Sequence, residues 1–322
     1  MQNERQVYVD KVLTNVMLGF PQQDFIAEQV FPTLNVPDLT GLAYKLDESH
    51  LRAPSDTTRA ALARANRVGM NVTQVSYGPL VEHSLEIPVT DGVMRNYDAP
   101  LVPETNATNV VTGQLLIDKE ILVRNAVTDV NNYAAANKIT LTGANQWSDP
   151  TSPLETRVNT AREAVKMGCG SYPNQVVMNK LVRDTLRQHN EVKNRLVGAV
   201  AVTNEQRDTI LRDIFQVERI IIGDAVSSDQ AENSTADGTK SRIWGDDVVM
   251  QYVTPAPAIE TLTQGYLLRL NPKNATGNGS PLVGVDKWYE KEIKSTIIRA
   301  TDFYVPWVFS QTAGYVFKDV LV

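Results

Sequence analysis

Apolar positions recur at helical spacing most persistently between Thr112 and Tyr133, in TGQLLIDKEILVRNAVTDVNNY. Leu115, Ile117, Leu122, Val123, Ala126, Val127 and Val130 keep close to the i, i+3, i+4, i+7 face, while Asp118, Lys119, Arg124 and Asp129 fall largely between them. The pattern predicts a helix over 112–133, free of Pro and of Gly after Gly113, and roughly 30 Å long at ~1.5 Å per residue. Such a helix is long enough to be the axis of a domain.

Upstream of it the pattern changes character. Residues 1–44 alternate short apolar runs with breaks at Phe20-Pro21, Phe31-Pro32 and Val36-Pro37, which permit a helical turn over Asp24–Gln29 but no long element. Apolar side chains here, among them Val7, Val9, Val12, Leu13, Phe25, Ile26, Val30 and Phe31, still need burial. The segment reads as an arm that lies on something else, with Phe25, Ile26, Val30 and Phe31 as candidate contacts to a neighbouring subunit.

In VEHSLEIPV, Val81, His83, Leu85, Ile87 and Val89 alternate with Glu82, Ser84 and Glu86, the period-two signature of a strand. Before it, Val68, Met70 and Val72 share one parity and Val75 and Tyr77 the other, which predicts a bulge or twist near Thr73. The stretch between 45 and 80 is locally basic, carrying Arg52, Arg59, Arg64 and Arg67 with Asp56 as the one acid after Glu48. The whole reads as a two-stranded excursion with a basic tip. A ribbon of that kind is only marginally stable alone and needs a surface to lie on.

After the long helix, helix and strand patterns alternate. Ser152-Pro153-Leu154-Glu155 reads as a capping box opening a helix that runs through Met167 and stops at Gly168. NQVVMN at 174–179 is a buried-strand pattern, and a helix with Leu181, Val182, Leu186 and Leu196 inward follows it. Thr203-Asn204-Glu205-Gln206 is a second capping box, ahead of Ile210, Leu211, Ile214 and Phe215; VERIIIGDA then reads as a strand ended by Gly223. Polar loops are expected at 226–241 and 271–281, strands over SRIWGDDVVMQYV and GYLLRL, and two last strands around a turn near Gln311–Gly314. The class is α+β, with a mixed α/β layer and no internal repeat.

Composition narrows the function. The 31 basic residues against 37 acidic ones give a formal charge of -6, the wrong sign for a protein that holds on by neutralising phosphates. One cysteine and three histidines make neither an internal disulfide nor a multi-cysteine metal site. The N-terminus lacks the features of a signal peptide, and no apolar run approaches the ~18 residues of a membrane helix. The chain is expected to act in a reducing cytoplasm or in something assembled there.

The vocabulary of catalysis is sparse. His50, His83 and His189 have no metal-like or triad-like neighbour at motif spacing, and His83, on an apolar strand face, reads as a packed or interface histidine. Cys169, between two glycines in GCGSYP, reads as an unpaired loop thiol; Asp246-Asp247 and WYEKEIKS read as solvated charge. There is no GxGxxG, P-loop, G-x-S-x-G or HExxH. No catalytic, cofactor or metal residue is assigned, and the chain reads as a non-enzyme built to hold neighbours.

Several runs resemble the major capsid proteins of tailed bacteriophages with the Hong Kong 97-like fold. FIAEQVFPTLNV is similar to the N-terminal arm of that family; LRAPSD, LEIPVTD and NYDAP to its extended loop and the return to the long helix. QWSDPTSPLETRVNTAREAV, NQVVMNKLVRDTLRQHNEVKNRL, FQVERIIIGDA and SRIWGDDVVMQYV follow in the order of one branch, so the resemblance spans roughly residues 25–255. It implies an N-terminal arm at 1–44, an extended β-hairpin loop at 45–90, a peripheral domain at 91–172 and 287–322 with spine helix 112–133, and a mixed α/β axial domain at 173–286.

The resemblance further implies a subunit that self-assembles as pentamers and hexamers into the icosahedral head of a double-stranded DNA phage. It places the chain in the virion, assembled in the bacterial host cytoplasm, with no membrane. Many relatives begin with a charged helical scaffolding segment and this chain starts almost directly at the arm, so a separate scaffolding protein or a cleaved form is expected. A portal is a further expected partner and a decoration protein a possible one, and the DNA is expected to be enclosed without sequence recognition. Arg52, Arg59, Arg64 and Arg67 are the candidate loop contacts to a neighbour. Competing readings are a tail-tube or decoration protein, and an oligomeric enzyme using Cys169 or Asp246-Asp247.

Overall fold

The computed structural model describes residues 8–9, 25–46, 52–54, 56–69, 72–96, 103–196, 203–230, 238–258, 261–271 and 284–322 of the 322. His50, Val7, Val12, Leu13 and nearly all of the 271–281 loop lie outside the described residues.

The axis is helix α3, Pro103–Thr128. Proline fits the first helical turn, where its missing N–H would have no partner, so the helix begins nine residues before the expected Thr112. It ends before the expected Tyr133 because Asp129 leaves helical geometry and its side chain takes the Asn131 N–H at 2.9 Å, a local bond that competes with another helical turn. A short 3-10 turn, Val130–Asn132, follows, and the Tyr133 hydroxyl donates back to the Val127 carbonyl at 2.6 Å.

Two sheets flank this axis. The first is six-stranded: β1 (Tyr8–Val9), β13 (Gly284–Glu290), β14 (Ser295–Val308), β12 (Gly265–Leu270) and β2 (Thr33–Val36) run in that order, and β5 (Val81–Thr90) pairs with β14. The second holds β6 (Lys138–Thr140), β15 (Gly314–Lys318), β11 (Val248–Gln251), β7 (Gln175–Asn179) and β8 (Arg219–Gly223). The two last strands expected around the 311–314 turn, β14 and β15, therefore belong to different sheets.

The first half of α3 packs Ala107, Val111 and Leu115 on Val89, Val285, Ile298 and Ala300 of the first sheet. Its second half packs Val123 and Val127 on Val177, Val249 and Val316 of the second. The other face of the second sheet carries Val176, Met178, Val248, Met250 and Phe317 against two further helices, α4 (Leu154–Cys169) and α7 (Asn204–Phe215). Covered on both faces, β7 and β11 are buried at every position, the pattern expected of a sheet in an α/β layer.

Local signals fared unequally. The Thr203 capping box opens α7 as expected, with reciprocal bonds between Thr203 and Gln206. The Ser152 box does not form. Ser152 Oγ lies 3.1 Å from His189 Nε2, and the Glu155 N–H at the start of α4 is taken at 2.8 Å by Glu191 Oε2. Glu191 opens helix α6 (Asn190–Asn194), just after α5 (Lys180–Leu186), so a long-range cap replaces the local one. Helix α4 continues through Gly168 to stop at Gly170, whose φ of 78° is left-handed. Gly168 serves packing instead: a Cβ there would meet Thr312 Cβ at 2.7 Å.

The ribbon differs from its expected form. Strand β3 (Gly41–Leu46) pairs with β4 (Val72–Tyr77) residue for residue, from Gly41 opposite Tyr77 to Leu46 opposite Val72, with no bulge at Thr73. The strand Val81–Thr90 is not part of it; β5 alternates between half-buried and exposed positions as expected but lies along β14. Helix α2, Asp91–Asn96, follows β5.

Candidate subunit interface

The arm reaches the body at helix α1, Ala27–Val30. Ile26, Val30 and Phe31 are buried in this chain's own core, among Val123, Val127, Tyr133, Trp244, Leu267 and Tyr304, with Phe25 partly buried at the edge. These three side chains thus anchor the arm within its own subunit. Phe31 rests on Gly265, where any Cβ would sit 2.6 Å from its ring. The arm then continues as β2, parallel to β12.

What fixes α1 is polar and buried. Glu120, fully buried on α3, accepts the Ile26 N–H (3.1 Å to each oxygen) and the Ala27 N–H (2.8 Å), the otherwise orphaned donors at the start of α1. Trp244 Nε1–H donates to the same carboxylate. Burial pushes the Glu120 carboxyl above its ordinary range, against the opposing pull of these three donors. At the other end of α1, the Val30 carbonyl accepts Gln251 Nε2 at 2.8 Å and Gln175 Nε2 at 3.2 Å, from adjacent strands β11 and β7.

Lys119, also buried, lies 3.3 Å from Glu28 and 3.5 Å from Asp302, with its ammonium 5.1 Å from the Tyr304 ring centroid. Asp302 in turn accepts Arg269 Nε at 2.9 Å. Arm helix, long helix and both strands β12 and β14 are thereby linked through charged groups. Hydrophobic periodicity had placed Lys119 on the outer face. The arm helix lies over that turn, with Glu28 on Lys119, and makes Lys119 interior.

The four candidate loop arginines, Arg52, Arg59, Arg64 and Arg67, are all exposed, between β3 and β4. The loop carries its own bonding: Asp56 Oδ1 accepts from the Thr58 N–H (2.7 Å) and hydroxyl (2.6 Å), Asn66 Nδ2 donates to the Asp56 carbonyl (2.9 Å), and Arg59 Nε donates to the Ala63 carbonyl (2.6 Å). Ala63 N–H closes a turn on the Ala60 carbonyl at 3.1 Å. At its crest stands Leu62, with a φ of 68° and its side chain fully in solvent. Sequence reasoning missed Leu62, although an apolar residue amid arginines with no helical or strand period was the available signal.

A groove of about 580 Å³ is enclosed by β5, α3 and the segment that carries Ser227, Ser228 and Gln230. His83 stacks on Tyr304 at a centroid distance of 4.1 Å, and its Nδ1 lies 3.0 Å from Asp118 Oδ2, which also accepts the Tyr304 hydroxyl at 3.0 Å. The hydrogen bond from His83 is the main force holding the Asp118 carboxyl below its usual range, so Asp118 stays anionic in the groove. Burial and the same carboxylate push the Tyr304 hydroxyl up.

Cys169 is not a loop thiol. It closes α4, buried, with Sγ donating to the Ser171 carbonyl at 3.3 Å, and burial raises its pKa away from a reactive thiolate. Asp246, Asp247 and Asp319 bring carboxylate oxygens within 4.8 Å of one another, with the Lys318 ammonium on Asp247. His189 is buried as the cap of α6; its Nδ1 accepts the Glu191 N–H at 3.3 Å, which leaves Nε2–H for Ser152 Oγ.

Comparison with known proteins agrees with this architecture. The major capsid protein of Burkholderia phage BcepMu is 28% identical over 327 residues, covering 97% of this chain and 96% of its own. A crystal structure of a phage-related protein from Bordetella bronchiseptica shares the fold over 98% of both chains, with a TM-score of 0.70 at 24% identity. The capsid structure of cyanophage P-SCSP1u shares it over 91% of this chain and 88% of that one, with a TM-score of 0.57 at 9% identity. The family model of phage major capsid protein E matches residues 102–294, from the start of helix α3 to just past the end of β13, and the chain belongs to that family, on a Hong Kong 97-like capsid fold.

Proposed function

We propose that the chain is the shell subunit of a phage head, closing into pentamers and hexamers of an icosahedral capsid that encloses double-stranded DNA. The observation that carries the reading is the family match over residues 102–294, joined to a body from which a self-bonded basic loop projects. Rings of five and six need heterologous contacts, one patch meeting a different patch on the next subunit. An acidic chain, -6 overall, with four exposed arginines on one loop offers such a pair.

In this reading residues 1–44 are the arm, 45–90 the extended loop together with its return strand β5 along the first sheet, 91–172 with 287–322 the peripheral domain, and 173–286 the axial domain. Arg52, Arg59, Arg64 and Arg67 face the neighbouring subunit. Within the arm set, Ile26, Val30 and Phe31 contribute by anchoring the arm, and Phe25 has surface left for a neighbour. The partners are other copies of the chain, a separate scaffolding protein, a portal and, outside the shell, a decoration protein. The subunit acts structurally, without catalysis; assembly takes place in the host cytoplasm, and DNA is enclosed without being read.

Electron microscopy of the chain, expressed alone and with its neighbouring phage genes and separated by sedimentation, tests the proposal. Closed shells or five- and six-fold rings are the expected result. Open tubes or small soluble oligomers under both conditions would overturn it.

A further inference from the structure

We propose that the outer edge of β8 receives an extended, acidic peptide segment of a partner protein as an added strand of the second sheet. The inference goes beyond the shell reading, and the free subunit is enough to test it.

The backbone sets the first condition. Strand β8, Arg219–Gly223, ends the five-stranded sheet and pairs, among the described residues, with β7 alone. Its outer edge therefore carries N–H and C=O groups free to pair with another strand. The strand is also apolar. Ile221 is buried on the face toward α3, while Ile220 and Ile222 pack in part on the opposite face. An apolar run of this kind at a sheet edge is what a folded protein ordinarily covers.

Space is the second condition. A cavity of about 290 Å³ lies along β8, lined by Ile220, Ile221 and Ile222. Gln29 of α1 borders it from one face of the sheet, and Arg183 of α5 with Asp208 and Arg212 of α7 from the other. The cavity thus continues the plane of the sheet between two helical layers, where an added strand would lie.

Charge decides what kind of strand fits. Asp208 is already taken, because Arg187 donates to both of its oxygens at 2.7 and 2.5 Å. Arg183 shares Asp184 with Arg187. Arg212 and Arg219 line the cavity, are exposed, and form no ion pair among the described residues; Arg219 donates to the neutral Gln175 amide at 3.2 Å. One lining carboxylate, Glu218, stands against these two guanidinium groups. Guanidinium groups match carboxylates in a two-pronged geometry, so an incoming strand with acidic side chains is favoured and a basic one repelled.

The test uses the full-length subunit and two end-blocked synthetic probes, the peptides EVEVEV and KVKVKV. The acidic peptide is expected to bind and to slow amide hydrogen exchange within Arg219–Gly223, and the basic peptide to leave those amides unchanged. Arg212→Glu with Arg219→Glu is expected to weaken the acidic peptide by about tenfold or more, and Glu218→Gln to tighten it. No binding of the acidic peptide, equal binding of both peptides, or binding that leaves the β8 amides unchanged would overturn the proposal. If inorganic pyrophosphate binds as tightly as the acidic peptide and neither slows exchange in β8, the arginines form an anion site and the added strand is wrong.

Discussion

Glu120 and Arg59 are both charged side chains that bond to backbone, and they do opposite work. Glu120 reaches amides 94 and 93 residues away and is sealed from water; Arg59 reaches a carbonyl four residues away and stays exposed. Bonds of the first kind join distant parts of the chain and, being buried, cost much if one partner is lost. Bonds of the second kind shape a local surface and leave the core indifferent. The arm lock is therefore an element of folding, whereas the loop is, in the proposed function, an element of assembly.

Substitutions can break that contrast, and the largest effect is expected at the lock. Glu120→Ala orphans the Ile26, Ala27 and Trp244 N–H donors and is expected to lower subunit stability by about 3 kcal/mol, read from the urea midpoint. Proteolysis should then cut within residues 25–36 first. Glu120→Gln keeps an acceptor oxygen and should lose less. Next comes Gly265→Ala, whose Cβ would press on the Phe31 ring and, at 2.8 Å, on the Trp307 carbonyl. Overpacking of this kind costs about 1–3 kcal/mol, and thermal unfolding should show it.

A smaller effect attaches to His189. Burial lowers its pKa, so the unfolded chain binds a proton that the folded chain resists. Stability from this group is complete above the unfolded value of about 6.5 and falls as pH drops through that value toward the folded one, by at most about 1.4 kcal/mol per pH unit. In His189→Asn the slope between pH 7 and 5 should be flatter than in the parent. An equal slope would assign the acid sensitivity to other groups.

Much of this was legible in the chain. Local devices survived intact: the Thr203 box, the β7 and β8 runs, and the alternation in β5 all depend on neighbours in sequence. What escaped was set by contacts far apart along the chain. Ser152 turned to His189, and the Val81–Thr90 strand found β14 more than two hundred residues on. Lys119 and Glu120 carry the polar signature of a solvent face, and only the arm folding over them makes that turn interior. The loop arginines were visible by composition, while Leu62 has no periodic partner and its significance lies in its exposure.

The smallest effect on the subunit and the largest on the shell should coincide in one variant. Arg59→Glu with Arg64→Glu touches no contact between the loop and the body among the described residues, so the unfolding midpoint of the free subunit is expected to match the parent. Sedimentation of parent and variant side by side, under conditions in which the parent forms shells, tests most directly whether folding and assembly are separate layers of this chain. The account predicts a variant that is folded and remains entirely in the slow-sedimenting fraction. Normal shells from that variant, or a subunit that fails to fold, would contradict it.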